Sequence, residues 1–120
     1  MVIKKITQKL IEDFDGADGQ FTQSIQVFRR SPYGYRIMLE IMAGQYGLCE
    51  EKVTLEYLSK KVIHLASRIT VSNFLKTVKS KNLIEIQPDG FDQRLKIIAP
   101  SEILLKDYNK WLNILFSNAE

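Results

Sequence analysis

The sequence predicts a mostly helical domain with one small β-hairpin, because a helical pattern near its middle is followed at once by an alternating one. Four apolar residues recur there at helical spacing and form one buried stripe: Val71, Phe74, Leu75 and Val78. Residues 83–86 then alternate, residues 88–90 supply a turn, and residues 94–97 return as a second strand with their cations outward. Lys52 and Val53 are candidates for an additional short strand. A helix followed by a basic hairpin is typical of a winged helix.

The chain begins with two predicted helices, within residues 1–30, that precede the winged-helix core. The first is amphipathic, with its apolar residues on one face: Ile3, Ile6, Leu10 and Phe14. A turn-rich stretch follows at residues 15–19. Phe21, Ile25 and Phe28 then recur at i, i+4 and i+7, which predicts the second helix.

Ser31 and Pro32 mark the start of the third predicted helix, because serine is a common N-cap and proline is favoured at the first helical position. The helix extends to about Gln45, and Gly47 can supply its C-terminal cap. We expect its buried residues to be Tyr35, Met38, Leu39 and Met42. We interpret it as the first helix of a winged helix-turn-helix that spans residues 31–98.

The two helices of the helix-turn-helix are predicted next. Thr54 is a candidate N-cap of the first. Its apolar stripe comprises Leu55, Leu58 and Val62. Residues 63–66 form the turn, and either Ser67 or Thr70 caps the second helix. Two short helices joined in this way, the second with a polar face, are typical of a DNA-binding helix-turn-helix.

After the wing, Pro100 ends the strand and Ser101 caps a last helix within residues 101–117. Its apolar residues form two stripes, Leu104, Tyr108, Trp111 and Leu115 on one and Leu105, Leu112 and Phe116 on the other. The first stripe is expected to pack on its own domain. The second stripe and the N-terminal helix together predict a homodimer interface: Ile3, Ile6, Leu10, Phe14, Leu105, Leu112 and Phe116. The alternative is that both stripes pack inside one chain.

Length and composition bound the class of protein. With 120 residues, of which 45% are apolar, the chain is predicted to form a single domain with one core. No apolar run approaches the ~18 residues of a membrane span, and the amphipathic start is unlike a signal peptide. Cys49 is the only cysteine, which excludes an internal disulfide and makes a reducing cytoplasm the default location.

Positive charge is concentrated in the middle of the chain. Residues 52–96 contain nine Lys or Arg and four Asp or Glu, a net charge of +5, whereas the whole chain carries +3 and the remainder therefore −2. Such a segment favours an anionic partner. The alternative interpretation is that these charges only solvate the surface.

The polar face of the second helix predicts double-stranded DNA as this partner. It combines cations with small hydrogen-bonding groups: Ser67, Arg68, Thr70, Ser72, Asn73, Lys76 and Thr77. The Asn73 amide can bond N6 and N7 of an adenine, and Arg68 can bond a guanine with two donors. Lys60 and Lys61 are expected to contact phosphates, and Arg94 of the wing is expected to enter a narrow minor groove.

Four runs of the sequence, in this order, resemble the MarR family of bacterial transcription regulators: Ser67-Arg68-Ile69-Thr70-Val71, Lys81-Asn82-Leu83-Ile84-Glu85, Asp92-Gln93-Arg94 and Ala99-Pro100-Ser101. The resemblance implies a homodimer whose chain-end helices interlock. It places the recognition helix, about residues 67–81, in the major groove and the wing, about residues 87–95, at the minor groove. It also implies that Asp92 orients Arg94.

Other chemistry has little support in the sequence. His64 and Cys49 have no partners at metal-ligand spacing, and no phosphate loop or nucleophile–base pair is present, so we predict neither a cofactor nor enzymatic activity. Some aromatic residues are candidates for lining a small-molecule effector pocket, although packing is favoured: Tyr33, Tyr35, Tyr46, Tyr57 and Trp111. The competing functions are a winged helix that binds proteins instead of DNA, and a single-stranded nucleic acid binder that uses Phe91.

Overall fold

The computed structural model describes residues 2–15 and 23–116 of the chain. Within these ranges it contains six α-helices and one two-stranded antiparallel sheet. In chain order the elements are α1 (Val2–Asp15), α2 (Gln23–Arg29), α3 (Pro32–Gln45), α4 (Leu55–Lys61), α5 (Arg68–Ser80), β1 (Ile84–Pro88), β2 (Lys96–Pro100) and α6 (Glu102–Phe116). The predicted fold class is confirmed. Residues 16–19 of the predicted turn, and Phe21, lie outside the described residues.

One hydrophobic core joins the elements from α2 to α6. Its buried residues are Ile25, Phe28, Ile37, Met38, Ile41, Met42, Val53, Tyr57, Leu58, Val62, Val71, Leu75, Val78, Leu83, Ile84, Ile98, Leu104, Trp111 and Leu115. Full burial of an aliphatic or aromatic side chain contributes about 1.5–3 kcal/mol each, which makes this cluster the main source of stability. None of the described helices is long and apolar enough to span a membrane.

Helix α3 begins and ends with the caps that the sequence predicts. Ser31 Oγ accepts a hydrogen bond from the Gly34 N–H (3.1 Å), and Pro32 occupies the first turn. At the other end Gly47 has a φ of 74°, and its N–H donates to the Gly44 carbonyl (3.2 Å). Glycine adopts this left-handed conformation without the steric cost of a Cβ atom, so α3 ends here.

The prediction for the buried face of α3 is wrong at two positions. Met38 and Met42 are buried as expected, but Tyr35 and Leu39 are 39% and 36% exposed. The other residues on the buried face are Gly34, Ile37 and Ile41. The expected and observed stripes overlap around the helix, and apolar residues occupy both. Spacing alone therefore does not distinguish them.

The wing hairpin pairs its strands from Ile84 opposite Pro100 to Pro88 opposite Lys96. The predicted return of the chain at residues 94–97 is wrong by two residues, because β2 begins at Lys96. Proline lacks the N–H that continues a ladder, so it is suited to the end of a strand. The loop of the wing consequently spans residues 89–95 and is longer than the turn that the sequence predicts.

The additional strand expected at Lys52 and Val53 is absent from the described sheet, which has only two strands. One backbone hydrogen bond is present there, in which the Ile98 N–H donates to the Val53 carbonyl (2.8 Å). A strand requires a repeating ladder of such bonds. The single bond instead ties the segment before α4 to β2.

Helix α6 connects the N-terminal helices to the winged-helix core. Ser101 caps it, as predicted, by accepting a hydrogen bond from the Leu104 N–H (3.1 Å). Its first apolar stripe packs on the same domain, and α1 packs against it from outside the core. The Ser24 hydroxyl of α2 donates to the Asp107 carboxylate of α6. Both ends of the described chain therefore meet at α6.

Candidate nucleic-acid interface

Helices α4 and α5 form the helix-turn-helix, and each begins at a side-chain cap. Thr54 Oγ1 accepts a hydrogen bond from the Tyr57 N–H, and Ser67 Oγ accepts one from the Thr70 N–H, both at 3.1 Å. Ser67 is therefore the cap of α5, which settles the choice between Ser67 and Thr70. Caps of this kind contribute about 1 kcal/mol each.

The buried face of α5 matches the predicted stripe. Its enclosed residues are Val71, Leu75 and Val78. Phe74 stands edge-to-face against Phe28 and Tyr33, with its ring centroid 5.6 Å from each of theirs. These contacts fix the rotation of α5 about its axis, so they also determine which residues face solvent.

The opposite face of α5 carries the residues that are predicted to contact DNA. Ser67, Arg68, Asn73, Lys76 and Thr77 are exposed, and Thr70 and Ser72 are half-buried. The Thr77 hydroxyl donates to the Asn73 carbonyl one turn earlier (3.1 Å), so it is engaged within the helix. Lys60 and Lys61 at the end of α4 are also exposed, and Lys61 Nζ lies 5.3 Å from the Tyr57 ring centroid.

Arg68 forms an ion pair with Glu56 across the helix-turn-helix. Its Nε and Nη2 atoms donate to Glu56 Oε1 at 2.8 and 2.5 Å. The hydrogen bond lowers the pKa of the Glu56 carboxyl and raises the pKa of the Arg68 guanidinium. Both side chains are largely exposed. A guanidinium has five N–H donors, so Arg68 keeps donors available for a base edge while it remains paired.

A left-handed residue, Asn82, follows the end of helix α5. Asn82 has a φ of 62°, and the N–H groups of Asn82 and Leu83 donate to the carbonyls of Lys79 (2.9 Å) and Val78 (3.0 Å). Asparagine is one of the few residues besides glycine that adopt this conformation readily. The exposed Lys79 and Lys81 lie at this end of the helix, where the helix dipole favours cations.

Two aspartates organise the wing loop, residues 89–95. The Asp92 carboxylate accepts hydrogen bonds from the backbone N–H of Arg94 (3.0 Å) and from its Nε (3.3 Å). Asp89 accepts from Lys52 Nζ (2.5 Å) and from the Asp92 N–H (3.1 Å), and the Lys52 bond lowers the pKa of Asp89. The Arg94 side chain is 92% exposed. The loop therefore exposes the Arg94 guanidinium to solvent while the Asp92 carboxylate contacts it.

Ile69 is an exposed residue of α5 that is absent from the set predicted to contact DNA. Its side chain is 72% exposed. On a helix it shares one face with Asn73 and Lys76, which follow it at i+4 and i+7. The periodicity that selects the buried stripe also places Ile69 on the opposite face, but an aliphatic side chain has no hydrogen-bonding group from which to predict a DNA contact.

Behind the helix-turn-helix, Tyr57 connects α4 to α3. Its hydroxyl donates to Glu40 Oε1 (2.7 Å) and lies 3.4 Å from Cys49 Sγ. Burial raises the pKa of Glu40, but hydrogen bonds from Tyr57 and Arg36 outweigh it, so the net pKa is lowered. The contact with Cys49, burial and Glu40 raise the pKa of Tyr57. Across the described residues, no group of three or more His, Cys, Asp or Glu could hold a metal ion.

Most of the aromatic residues considered for an effector pocket pack against other side chains. Tyr35 and Tyr108 contact Trp111, with ring centroids 6.5 and 5.9 Å apart. The Arg29 guanidinium lies 5.5 Å from the Trp111 centroid, which joins α2 to α6 by a cation–π contact. Tyr46 is exposed. The rings of Tyr35, Tyr108 and Trp111 therefore contribute to packing between α2, α3 and α6, whereas Tyr46 does not share in these contacts.

The sequence matches no protein-family model and no curated protein. Among solved structures, the S. aureus MepR–DNA complex has a TM-score of 0.66 at 20% identity, over 95% of this chain and 75% of that chain. The heme sensor protein PefR from Streptococcus agalactiae, in complex with heme, has a TM-score of 0.55 at 14% identity, over 92% and 71%. YusO from Bacillus subtilis has a TM-score of 0.51 at 12% identity, over 96% and 76%. These proteins are MarR-family regulators.

The chain has a MarR-like winged-helix fold. The resemblance that four short sequence runs indicate is confirmed at the level of the fold. The structural match covers nearly the whole chain, so it includes the chain-end helices as well as the helix-turn-helix and wing. At identities of 12–20%, the likeness establishes the fold alone.

Proposed function

We propose that this protein is a sequence-specific, double-stranded DNA-binding transcription regulator that acts as a homodimer. The observation that carries the proposal is the exposed face of α5, where Arg68, Asn73 and Lys76 face solvent from a helix-turn-helix. An α-helix fits the major groove of B-DNA, where base edges are distinguishable. The fold supports the proposal, since MepR, which has the same fold, is solved in complex with DNA.

Base recognition is assigned to Asn73 and Arg68. The Asn73 amide bonds N6 and N7 of an adenine, and Arg68 bonds O6 and N7 of a guanine with the donors that Glu56 leaves available. Each such pair discriminates against a wrong base by about one to two orders of magnitude. The remaining members of the face offer hydroxyl and methyl groups to bases and phosphates: Ser67, Thr70, Ser72 and Thr77.

Affinity that does not depend on sequence is assigned to Lys60, Lys61 and Lys76. Their exposed ammonium groups displace counterions from phosphates, so binding weakens as salt is added. Arg94 enters the minor groove, where a narrow A·T-rich segment has the most negative potential. Asp92 positions Arg94, because it contacts both the backbone and the side chain of that residue.

The homodimer is supported by apolar side chains that one chain leaves exposed on α1 and α6. Ile3 is 77% exposed, and Leu10 and Phe116 are also exposed, whereas Ile6 is half-buried. Two further members of the proposed interface, Leu105 and Leu112, are half-buried and pack partly against their own core. The Phe14 side chain lies outside the described residues. A two-fold axis would give two recognition helices for two half-sites.

Selection of the purified protein against a pool of random duplex DNA tests the proposal. We expect enrichment of a two-fold-symmetric site whose half-sites lie about one helical turn apart. A salt series on that site should give log affinity that falls linearly with log salt, with a slope set by the number of phosphate contacts. No enrichment, with weak binding even at low salt, would overturn the proposal.

Three alanine variants separate the assigned roles. Lys76→Ala should reduce the salt slope by about one unit and weaken binding to all sequences alike. Arg94→Ala should weaken binding about tenfold and lose the preference for A·T pairs at the wing position. Lys110→Ala is the matched control, because this exposed lysine lies on α6, away from the helix-turn-helix and wing.

A competing function is a winged helix that binds proteins, and one observation favours it. Phe91 in the wing loop is 98% exposed, with Lys52 Nζ 5.7 Å from its ring centroid. Exposed aromatic side chains are typical anchors of protein interfaces. In that case Arg94→Ala and Lys76→Ala leave DNA binding weak and unchanged, whereas Phe91→Ala abolishes binding of a protein partner.

A further inference from the structure

Ile69 is an exposed aliphatic residue on the helix that carries the proposed DNA-contacting face. It is 72% exposed, and it shares the outward face of α5 with Asn73 and Lys76. Keeping an aliphatic side chain in water forgoes the free energy that its burial would supply. The core beneath α5 is already complete, since Val71, Leu75 and Val78 fill it. Ile69 therefore has apolar surface available for a ligand of this face.

We propose that Ile69 recognises the 5-methyl group of a thymine in the major groove. The inference rests on the proposed function, because it requires α5 to enter that groove. Thymine is the base that presents an apolar group there, whereas the other base edges present hydrogen-bonding groups. Arg68 and Asn73 serve those polar edges, and Ile69 adds a contact of a different chemical kind.

The helix restricts the position and the side-chain conformation of Ile69, which favours such a contact. It lies in the first turn of α5, two residues after the Ser67 cap, and the Ser67 carbonyl accepts a hydrogen bond from the Val71 N–H (3.0 Å). Isoleucine is branched at Cβ, so its χ1 angle is nearly fixed in a helix. Binding a methyl group therefore costs little side-chain entropy.

Replacing thymine by deoxyuridine tests the inference, because the change removes only the methyl group. Each thymine of the selected site is replaced in turn, symmetrically in both half-sites, and the affinity is measured for the wild type and for Ile69→Ala. We expect one position at which deoxyuridine weakens wild-type binding about fourfold per half-site, as for the loss of one buried methyl-sized group. Ile69→Ala should bind the two DNAs equally, so the two changes are not additive.

Ile63→Ala is the matched control, because Ile63 is equally aliphatic and exposed but lies in the turn before α5. It should keep the full penalty for deoxyuridine. Thermal unfolding of Ile69→Ala should match the wild type, since the side chain is exposed. A selected site at which no thymine shows a penalty that Ile69→Ala removes would overturn this inference but leave the proposed function standing. Failure to select any site would overturn both.

Discussion

Helices α5 and α1 are both amphipathic, but a single chain buries the apolar face of α5 and leaves much of the apolar face of α1 exposed. In α5 the apolar stripe is enclosed, and the outward face is polar except for Ile69. In α1, Ile3, Leu10 and Ile11 remain exposed although the helix packs against α6. Exposed apolar faces of this kind mark interaction sites. The helix-turn-helix therefore buries its apolar stripe within one chain, whereas the exposed face of α1 supports the proposed contact with a partner chain.

Removing a buried side chain from α5 should have the largest effect on the monomer. Leu75→Ala leaves a cavity in the core and should lower the free energy of unfolding by about 2–5 kcal/mol. Ile3→Ala in α1 should lower it by less than about 0.5 kcal/mol when both are measured in dilute protein. Urea denaturation gives both values. Equal losses would show that the comparison between the two helices is mistaken.

Placing charge on α1 should affect association instead. Ile3→Glu combined with Leu10→Glu puts two carboxylates into the proposed interface, and we expect the dimer dissociation constant to rise about 100-fold or more. Sedimentation velocity across a concentration series measures it. Lys5→Glu is the control, because Lys5 is an exposed residue of α1 outside the proposed interface. An unchanged dissociation constant in the double variant would exclude this face.

The hydrogen bond between Tyr57 and Glu40 should contribute to monomer stability in a way that depends on pH. The pKa of Glu40 is lowered on folding, so its contribution is complete above the usual value of about 4.5 and is lost as the pH falls through the lower folded value. Glu40→Gln should therefore lower stability by about 1 kcal/mol at pH 7, with the difference disappearing in acid. Denaturation of both proteins between about pH 3 and about pH 7 measures this difference. A difference that stays constant with pH would contradict the assignment.

The smallest effect is expected at the ion pair on the surface of the helix-turn-helix. Glu56→Gln removes a negative charge beside Arg68 and replaces the carboxylate with a neutral amide oxygen, which holds the Arg68 donors more weakly. Affinity for DNA of any sequence should rise about threefold at low salt and less at high salt, because exposed charges are screened. Glu102→Gln, at an exposed acid on α6, should leave the affinity unchanged. A fall in affinity would indicate that Glu56 is needed to position Arg68.

Sequence patterns predict the starts of the helices and the buried face of α5 well because their determinants are local. The caps Ser31, Thr54 and Ser101 each accept the expected backbone hydrogen bond, and the spacing of Val71 and Val78 identifies the buried face of α5. These features depend on residues within a few positions of each other. The fold class follows from them directly.

Sequence patterns do not predict features that depend on contacts between residues far apart in the chain. Apolar residues occupy two stripes of α3, and only packing against other elements selects the one that excludes Tyr35 and Leu39. The wing loop depends on the bond between Lys52 and Asp89, which are 37 positions apart. Local spacing also does not predict the ion pair between Arg68 and Glu56, because the two residues lie on different helices. The DNA contacts and the dimer interface stay predictions, because they involve molecules outside the chain.

The proposed homodimer places two copies of this chain on one symmetric DNA site. Sedimentation of the protein with its selected duplex, at concentrations above the dissociation constant, measures the number of chains per duplex directly. We predict two chains per intact duplex. On a duplex cut to a single half-site we predict one chain, bound far more weakly. A single chain bound with full affinity to the intact site, or no selected site at all, would contradict the proposed dimer.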